Sequence, residues 1–90
     1  MLSYQLDIGQ VVTACAGRDE GKLFFIINII DSQYVHIADG KSRKVDSPKL
    51  KKVKHLKKLN IINDSVRAKI LSGENVTDSF LRAELKKLNK

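Results

Sequence analysis

A chain of 90 residues with a formal net charge of +7 and a single cysteine is sequence for one domain, and at this length folding buries roughly 60–65% of the unfolded surface. That size leaves no room for a buried cleft of usual enzyme dimensions. One thiol cannot staple a fold, so core packing must hold it, and the cysteine usage fits a reducing, cytoplasmic setting.

The N-terminal ten residues, MLSYQLDIGQ, carry no basic region and no continuous apolar stretch, so neither a signal peptide nor a membrane anchor is expected. Residues 10–16, rich in Val, Thr and Ala, read as a first strand. Cys15, between Ala14 and Ala16, reads as a small core residue rather than a reactive thiol. Gly17 and Gly21 then bound a tight loop, where each supplies a positive φ.

Residues 23–30 form the most apolar run, interrupted by Asn28. It suits a buried strand and falls far short of the ~20 residues a spanning helix requires. Asp31-Ser32 marks a turn, and residues 33–38 alternate, with Val35 and Ile37 on one face and Tyr34 and His36 on the other. Asp39-Gly40 is the dipeptide of a two-residue hairpin, which predicts a returning strand over 41–46. On that strand Arg43 would share a face with Lys41 and Val45. Pro48 then interrupts any ladder.

Residues 49–59 are open to two readings. Leu50, Val53, Leu56 and Leu59 recur every three residues, as on a helix. A small barrel needs one more strand to close its edge, however, and residues 52–56, studded with lysine, are suited to an edge; strand is the preferred reading. Asn63-Asp64-Ser65 starts a helix with an apolar face of Val66, Ile70 and Leu71, ending at Gly73. Thr77 is positioned to cap a second, amphipathic helix carrying Phe80, Leu81, Glu84, Leu85 and Leu88. The expected fold is mainly β, a small barrel or sandwich of short strands over residues 1–60, with a helical extension over 61–90.

The charge is concentrated. Nine of the twenty residues 41–60 are Lys or Arg against Asp46 alone, whereas residues 1–40 sum to −3 and residues 61–90 to +2. A localised patch is what a polyanion-binding surface needs, because each phosphate neutralised releases counterions. Lys41, Arg43 and Lys44 past the hairpin tip, and Lys49, Lys51, Lys52, Lys54, Lys57 and Lys58 beyond it, are the candidate phosphate contacts. The competing role for each is solubility. Lysines are flexible point charges with little sequence information, whereas Arg18 and Arg43 have the fork for bidentate contacts. His55, within the lysine run, either hydrogen-bonds RNA or is an ordinary surface histidine. Tyr34 and His36, with Tyr4 a third candidate, offer rings to an unpaired base. With Phe24, Phe25 and Phe80 assigned to the core, a stacking platform of the single-strand-binding type is not expected. The expected ligand is therefore structured RNA, recognised by shape and charge.

The segments Gly9-Gln10-Val11-Val12 and Ala16-Gly17-Arg18-Asp19-Glu20-Gly21-Lys22, with the apolar strand to Ile30-Asp31, resemble a KOW motif. The following Asp39-Gly40-Lys41, Arg43, Pro48-Lys49, Lys51-Lys52 and Lys54-His55-Leu56 are similar to a narrower group. These are small bacterial KOW-domain RNA-binding proteins akin to archaeal and eukaryotic large-subunit ribosomal protein fourteen. Leu71-Ser72-Gly73 and Val76-Thr77-Asp78 also fit that group. The resemblance implies an SH3-like barrel of about five strands that binds ribosomal RNA, with Gly17, Arg18, Gly21 and Lys22 in an RNA-facing loop. Glu20 stands where such proteins often place lysine and Asp19 adds a second negative charge, which shifts the expected contacts towards residues 41–58.

No nucleophile elbow, paired-carboxylate spacing or nucleotide-binding Gly-Lys-Ser/Thr loop is present, and no Cys/His set has metal-ligand spacing. No enzymatic activity, cofactor, metal or small-molecule substrate is expected. Membrane-surface attachment is disfavoured, since no apolar insertion face accompanies the lysines. The alternative to RNA binding is a protein-interaction module of the transcription or translation machinery, using the acidic first loop and the amphipathic last helix.

Overall fold

The computed structural model describes residues 6–15 and 17–88. Its strands are β1 (Gln10–Ala14), β2 (Leu23–Ile29), β3 (Tyr34–Ala38), β4 (Lys49–Lys52) and β5 (Leu56–Ile62). A 3-10 turn, Val53–His55, joins the last two, and helices α1 (Asp64–Leu71) and α2 (Asp78–Leu88) follow. The protein is mainly β, with one five-stranded antiparallel sheet in the order β4-β3-β2-β1-β5 and two C-terminal helices.

The order of the strands forces the sheet to curl. β4 and β5 are its two rims, and in a flat sheet four strand spacings would set them about 19 Å apart. The chain from Lys52 to Leu56 reaches about 14 Å at most, even fully extended. Two register shifts assist, one on β1–β5 between Gln10 and Val12 and one on β2–β3 between Ile26 and Asn28, because bulges increase local twist. At the first, the buried Gln10 side chain donates through Nε2 to the carbonyls of Leu59 (2.7 Å) and Ile61 (3.3 Å). No ladder joins β4 to β5 among the described residues, so the sheet is curled but open.

Both faces of the sheet are packed. Inside the curl lie Val12, Ala14, Phe24, Ile26, Val35, Ile37 and Leu56. On the outer face, Val11, Phe25 and Ala38 meet Val66 of α1 and Leu81 of α2, with Phe80, Leu85 and Leu88 packed around them. The period-two alternation of the strands thus divides their apolar residues between two small cores, and burying each large side chain contributes about 1.5–3 kcal/mol. α1 is capped as its sequence predicts, Asn63 Oδ1 accepting from Val66 N–H at 2.9 Å. α2 is capped by Thr77, whose hydroxyl oxygen accepts from Phe80 N–H at 3.1 Å. No helix among the described residues is long and apolar enough to cross a membrane.

Several local expectations are corrected. Asp39-Gly40 does not form a two-residue hairpin, and residues 41–46 are not a strand. The Asp39 carboxylate turns back on its own chain instead. Oδ1 accepts from Lys41 and Arg43 N–H (2.9 and 2.8 Å), and Oδ2 accepts from the Ser42 hydroxyl (3.0 Å). This local competition converts residues 39–48 into a wide loop, and the partner of β3 is β4. Gly40 does take positive φ, but tertiary packing also demands glycine, since a Cβ there would collide with the Asp78 carbonyl oxygen. Residues 49–59 are two strands rather than an α-helix, and residues 52–56 are not one strand, because the 3-10 turn Val53–His55 divides them. Cys15 is exposed, one residue past the end of β1. Leu50 and Leu71, both assigned to apolar stripes, are 50% and 60% exposed.

Candidate nucleic-acid interface

The lysines of the basic block are set along the two rims of the sheet and the turn between them. Lys49, Lys51 and Lys52 lie on β4, opposite Ile37, Val35 and Tyr34 of β3. Lys54 and His55 lie in the 3-10 turn. Lys57 and Lys58 lie on β5, opposite Thr13 and Val12 of β1. All are exposed except Lys51, which is half-buried. Because β4, the 3-10 turn and β5 are consecutive, these cations follow one another along the two rims of the sheet and the turn that joins them. Among the described residues, Lys49, Lys51, Lys52, Lys54 and Lys57 form no ion pair with a carboxylate. The register places Lys49 and Lys51 opposite inward-facing β3 residues and turns Leu50 outward, an arrangement that blocks strand addition at this rim.

The loop cations divide into two kinds. Arg18, Lys22, Lys41 and Lys44 are exposed. Arg43 is half-buried and already engaged: its Nε and Nη2 both donate to Asp19 Oδ2, at 3.0 and 2.6 Å. The Nε–Nη2 edge of the guanidinium, one of the two a bidentate phosphate contact could use, is thus held by Asp19. Asp19 in turn is only 3% exposed, with Lys22 Nζ a further 3.9 Å from its other oxygen. It is therefore a neutralised internal anion rather than a repelling surface charge, and Glu20 is the exposed acid of the 17–22 loop. Gly17 and Gly21 both take positive φ, as that loop requires.

The part of the outer sheet face left bare by the helices carries two cross-strand rows. In one, Asn28, His36 and Leu50 stand opposite one another on β2, β3 and β4, with Asn28 Nδ2 3.3 Å from His36 Nδ1. In the other, Lys52 stands opposite Tyr34 with its ammonium 5.9 Å from the ring centroid. Tyr34 and His36 are thus brought to one surface beside the basic edge, as their alternation predicts. Tyr4 lies outside the described residues.

Sequence reasoning missed Arg82 and Lys86. They stand four apart on α2, a spacing that puts two side chains on one helix face, and they line a groove with Lys22 and Lys41. The signal was present as a basic i, i+4 pair, but nothing local indicates that this face turns towards the loops. Among the described residues, no three His, Cys, Asp or Glu side chains stand together as a metal site.

No protein-family model matches the sequence, and no curated protein matches it.

Proposed function

We propose that this protein binds structured RNA through its basic edge, and that the RNA is ribosomal RNA of the large subunit, contacted by a ribosomal protein or a ribosome-associated factor in the cytoplasm. The observation that carries the reading is the succession of β4, the 3-10 turn and β5, where five lysines without carboxylate partners among the described residues lie on the two rims of the sheet and the turn that joins them. The resemblance of the 17–22 loop and its flanking strands to a KOW motif supports the same reading. A rigid sheet presenting flexible ammonium groups recognises an array of phosphates by spacing and shape, with little base-sequence preference. No reaction is assigned to it.

The protein-docking alternative has less support. The apolar side of α2, which such a partner would use, packs on the sheet through Leu81, Phe80, Leu85 and Leu88.

Sedimentation of lysate through a sucrose gradient at low and high salt tests the reading. Co-migration with the large subunit and release by salt are expected, and charge reversal at Lys52, Lys54 and Lys57 should abolish the association. With six to ten phosphates contacted, affinity for the RNA should fall by roughly 10³–10⁵ between 50 and 200 mM salt. A protein that remains at the top of the gradient at both salts would overturn the ribosomal assignment.

A further inference from the structure

The groove between α2 and the two basic loops gathers cations from three distant parts of the chain. Leu23 and Leu85 line it, with Lys22 from the β1–β2 loop, Lys41 from the β3–β4 loop, and Arg82 and Lys86 from α2. Asp39 is the one carboxylate in the lining, and it is 8% exposed with both oxygens accepting hydrogen bonds from its own loop. Its single charge is outnumbered by the four cations of the lining. Arg82 is anchored, donating through Nη1 to the Gly40 carbonyl (2.6 Å) and through Nη2 to the Ser79 hydroxyl (3.1 Å). Those two bonds use only part of its five-donor fork. Lys41 and Lys86 are exposed and form no ion pair with a carboxylate among the described residues.

One anchored guanidinium among three ammonium groups, of which that of Lys22 also stands 3.9 Å from Asp19, is an arrangement for phosphate: the arginine sets direction and the lysines follow the charge. The groove also leads to the basic edge, because the loop that begins at Asp39 and passes Lys41 and Lys44 runs directly into Lys49 of β4. The molecule measures 35 × 27 × 25 Å, so a single folded RNA is large enough to lie against both.

We infer that this groove is a second phosphate-binding site, taking the backbone of the same RNA that the β4–β5 edge binds. RNA is then gripped on both sides of the 39–48 loop, with α2 as part of the binding surface. The inference rests on the RNA-binding reading above.

Amide chemical-shift mapping of the ¹⁵N-labelled full chain with a short RNA duplex separates the two claims. The amides of Lys22, Lys41, Ser42, Arg82 and Lys86 should shift together with those of β4 and β5. The double variant Lys41→Glu/Lys86→Glu, its fold checked in the same spectra, should lose two phosphate contacts. The affinity lost between 50 and 200 mM salt should then shrink by about tenfold relative to wild type. If only the edge amides shift, and the double variant keeps the wild-type salt slope, the groove is not a site while the RNA reading stands. If neither set shifts at low salt, both readings fall. A parallel titration with tripolyphosphate distinguishes sources: groove shifts with tripolyphosphate but not with duplex would assign the groove to a small phosphate ligand and overturn the RNA inference.

Discussion

Arg43 reaches across to Asp19, 24 positions earlier, and ties the β3–β4 loop to the β1–β2 loop through two hydrogen bonds to a single carboxylate oxygen. The pair spans two segments with no strand ladder between them, so it sets the spacing of the loops that carry Arg18, Lys22, Lys41 and Lys44. Replacing Asp19 with Ala should lower stability by about 1.5–3 kcal/mol, the scale of charge-assisted hydrogen bonds. The lower half of that range is expected because Arg43 is 29% exposed and its charge stays partly solvated. Chemical denaturation measures the cost. An unchanged midpoint would mean that the pair holds nothing together.

Gly40 and Gly17 both have positive φ, but their surroundings differ. A Cβ at Gly40 meets the Asp78 carbonyl, whereas one at Gly17 meets nothing within 4 Å. Gly17→Ala should therefore cost only the left-handed backbone penalty, about 1–2 kcal/mol. Gly40→Ala should cost clearly more, because α2 must move away from the loop. Thermal melts of the two variants give the comparison, and equal losses would contradict the close packing.

Asn63 serves both helices: Oδ1 caps α1 at Val66, and Nδ2 donates to Glu84 Oε1 of α2 at 2.9 Å. That hydrogen bond, with a second from Lys87, holds the Glu84 carboxyl below its ordinary pKa, against the opposing effect of burial. A lowered folded-state pKa means that the charged form favours folding. The contribution is complete above the unfolded carboxylate value of about 4.3 and is lost as pH falls through the lower folded value. Glu84→Gln should therefore lower the neutral plateau of a stability-versus-pH curve and flatten its acid limb, leaving stability at the acid end less changed. Asn63→Ala should cost about 1 kcal/mol for the cap alone and should also weaken the acid-side dependence.

Tyr34 and His36 give a direct discrimination between recognition by charge and recognition by stacking. Stacking of a base on an aromatic ring contributes about 1–3 kcal/mol. If the RNA is read by shape and charge, Tyr34→Ala/His36→Ala should leave duplex affinity within about twofold of wild type. Charge reversal at Lys52, Lys54 and Lys57 should remove most of the binding. A fivefold or larger loss in the aromatic double variant would show that this face contributes binding beyond charge and overturn recognition by shape and charge alone.

The first three strands were legible because their signals are local. Alternation at Val35 and Ile37, the glycine pair around the first loop, and the apolar run after it each act within a few residues. The helix caps at Asn63 and Thr77 were legible for the same reason. What was not legible depended on distant partners. Asp19 has the sequence context of a surface acid, and only Arg43 makes it an internal one. Asp39-Gly40 carries the residues of a tight hairpin, but the carboxylate has three nearby donors and α2 presses on the glycine. Leu50 fits an every-third-residue stripe that the extended backbone of β4 turns outward. At the candidate site, the lysines were visible as composition, and their division between the two rims of the sheet was not, because it depends on which strands pair.

The loop bearing Lys41 and Lys44 is held in place from the far end of the chain. Asp78 Oδ1 accepts from Val45 N–H at 2.8 Å, Arg82 donates to the Gly40 carbonyl, and the Asp78 backbone packs on Gly40. Quantity of charge and placement of charge are therefore supplied by different segments. A chain cut before residue 78 would retain every cation of the basic block, yet it would lose the contacts from α2 that help fix where the loop presents its share of them. Such a fragment would keep the charge of the basic block and differ from the intact protein in what that charge can recognise.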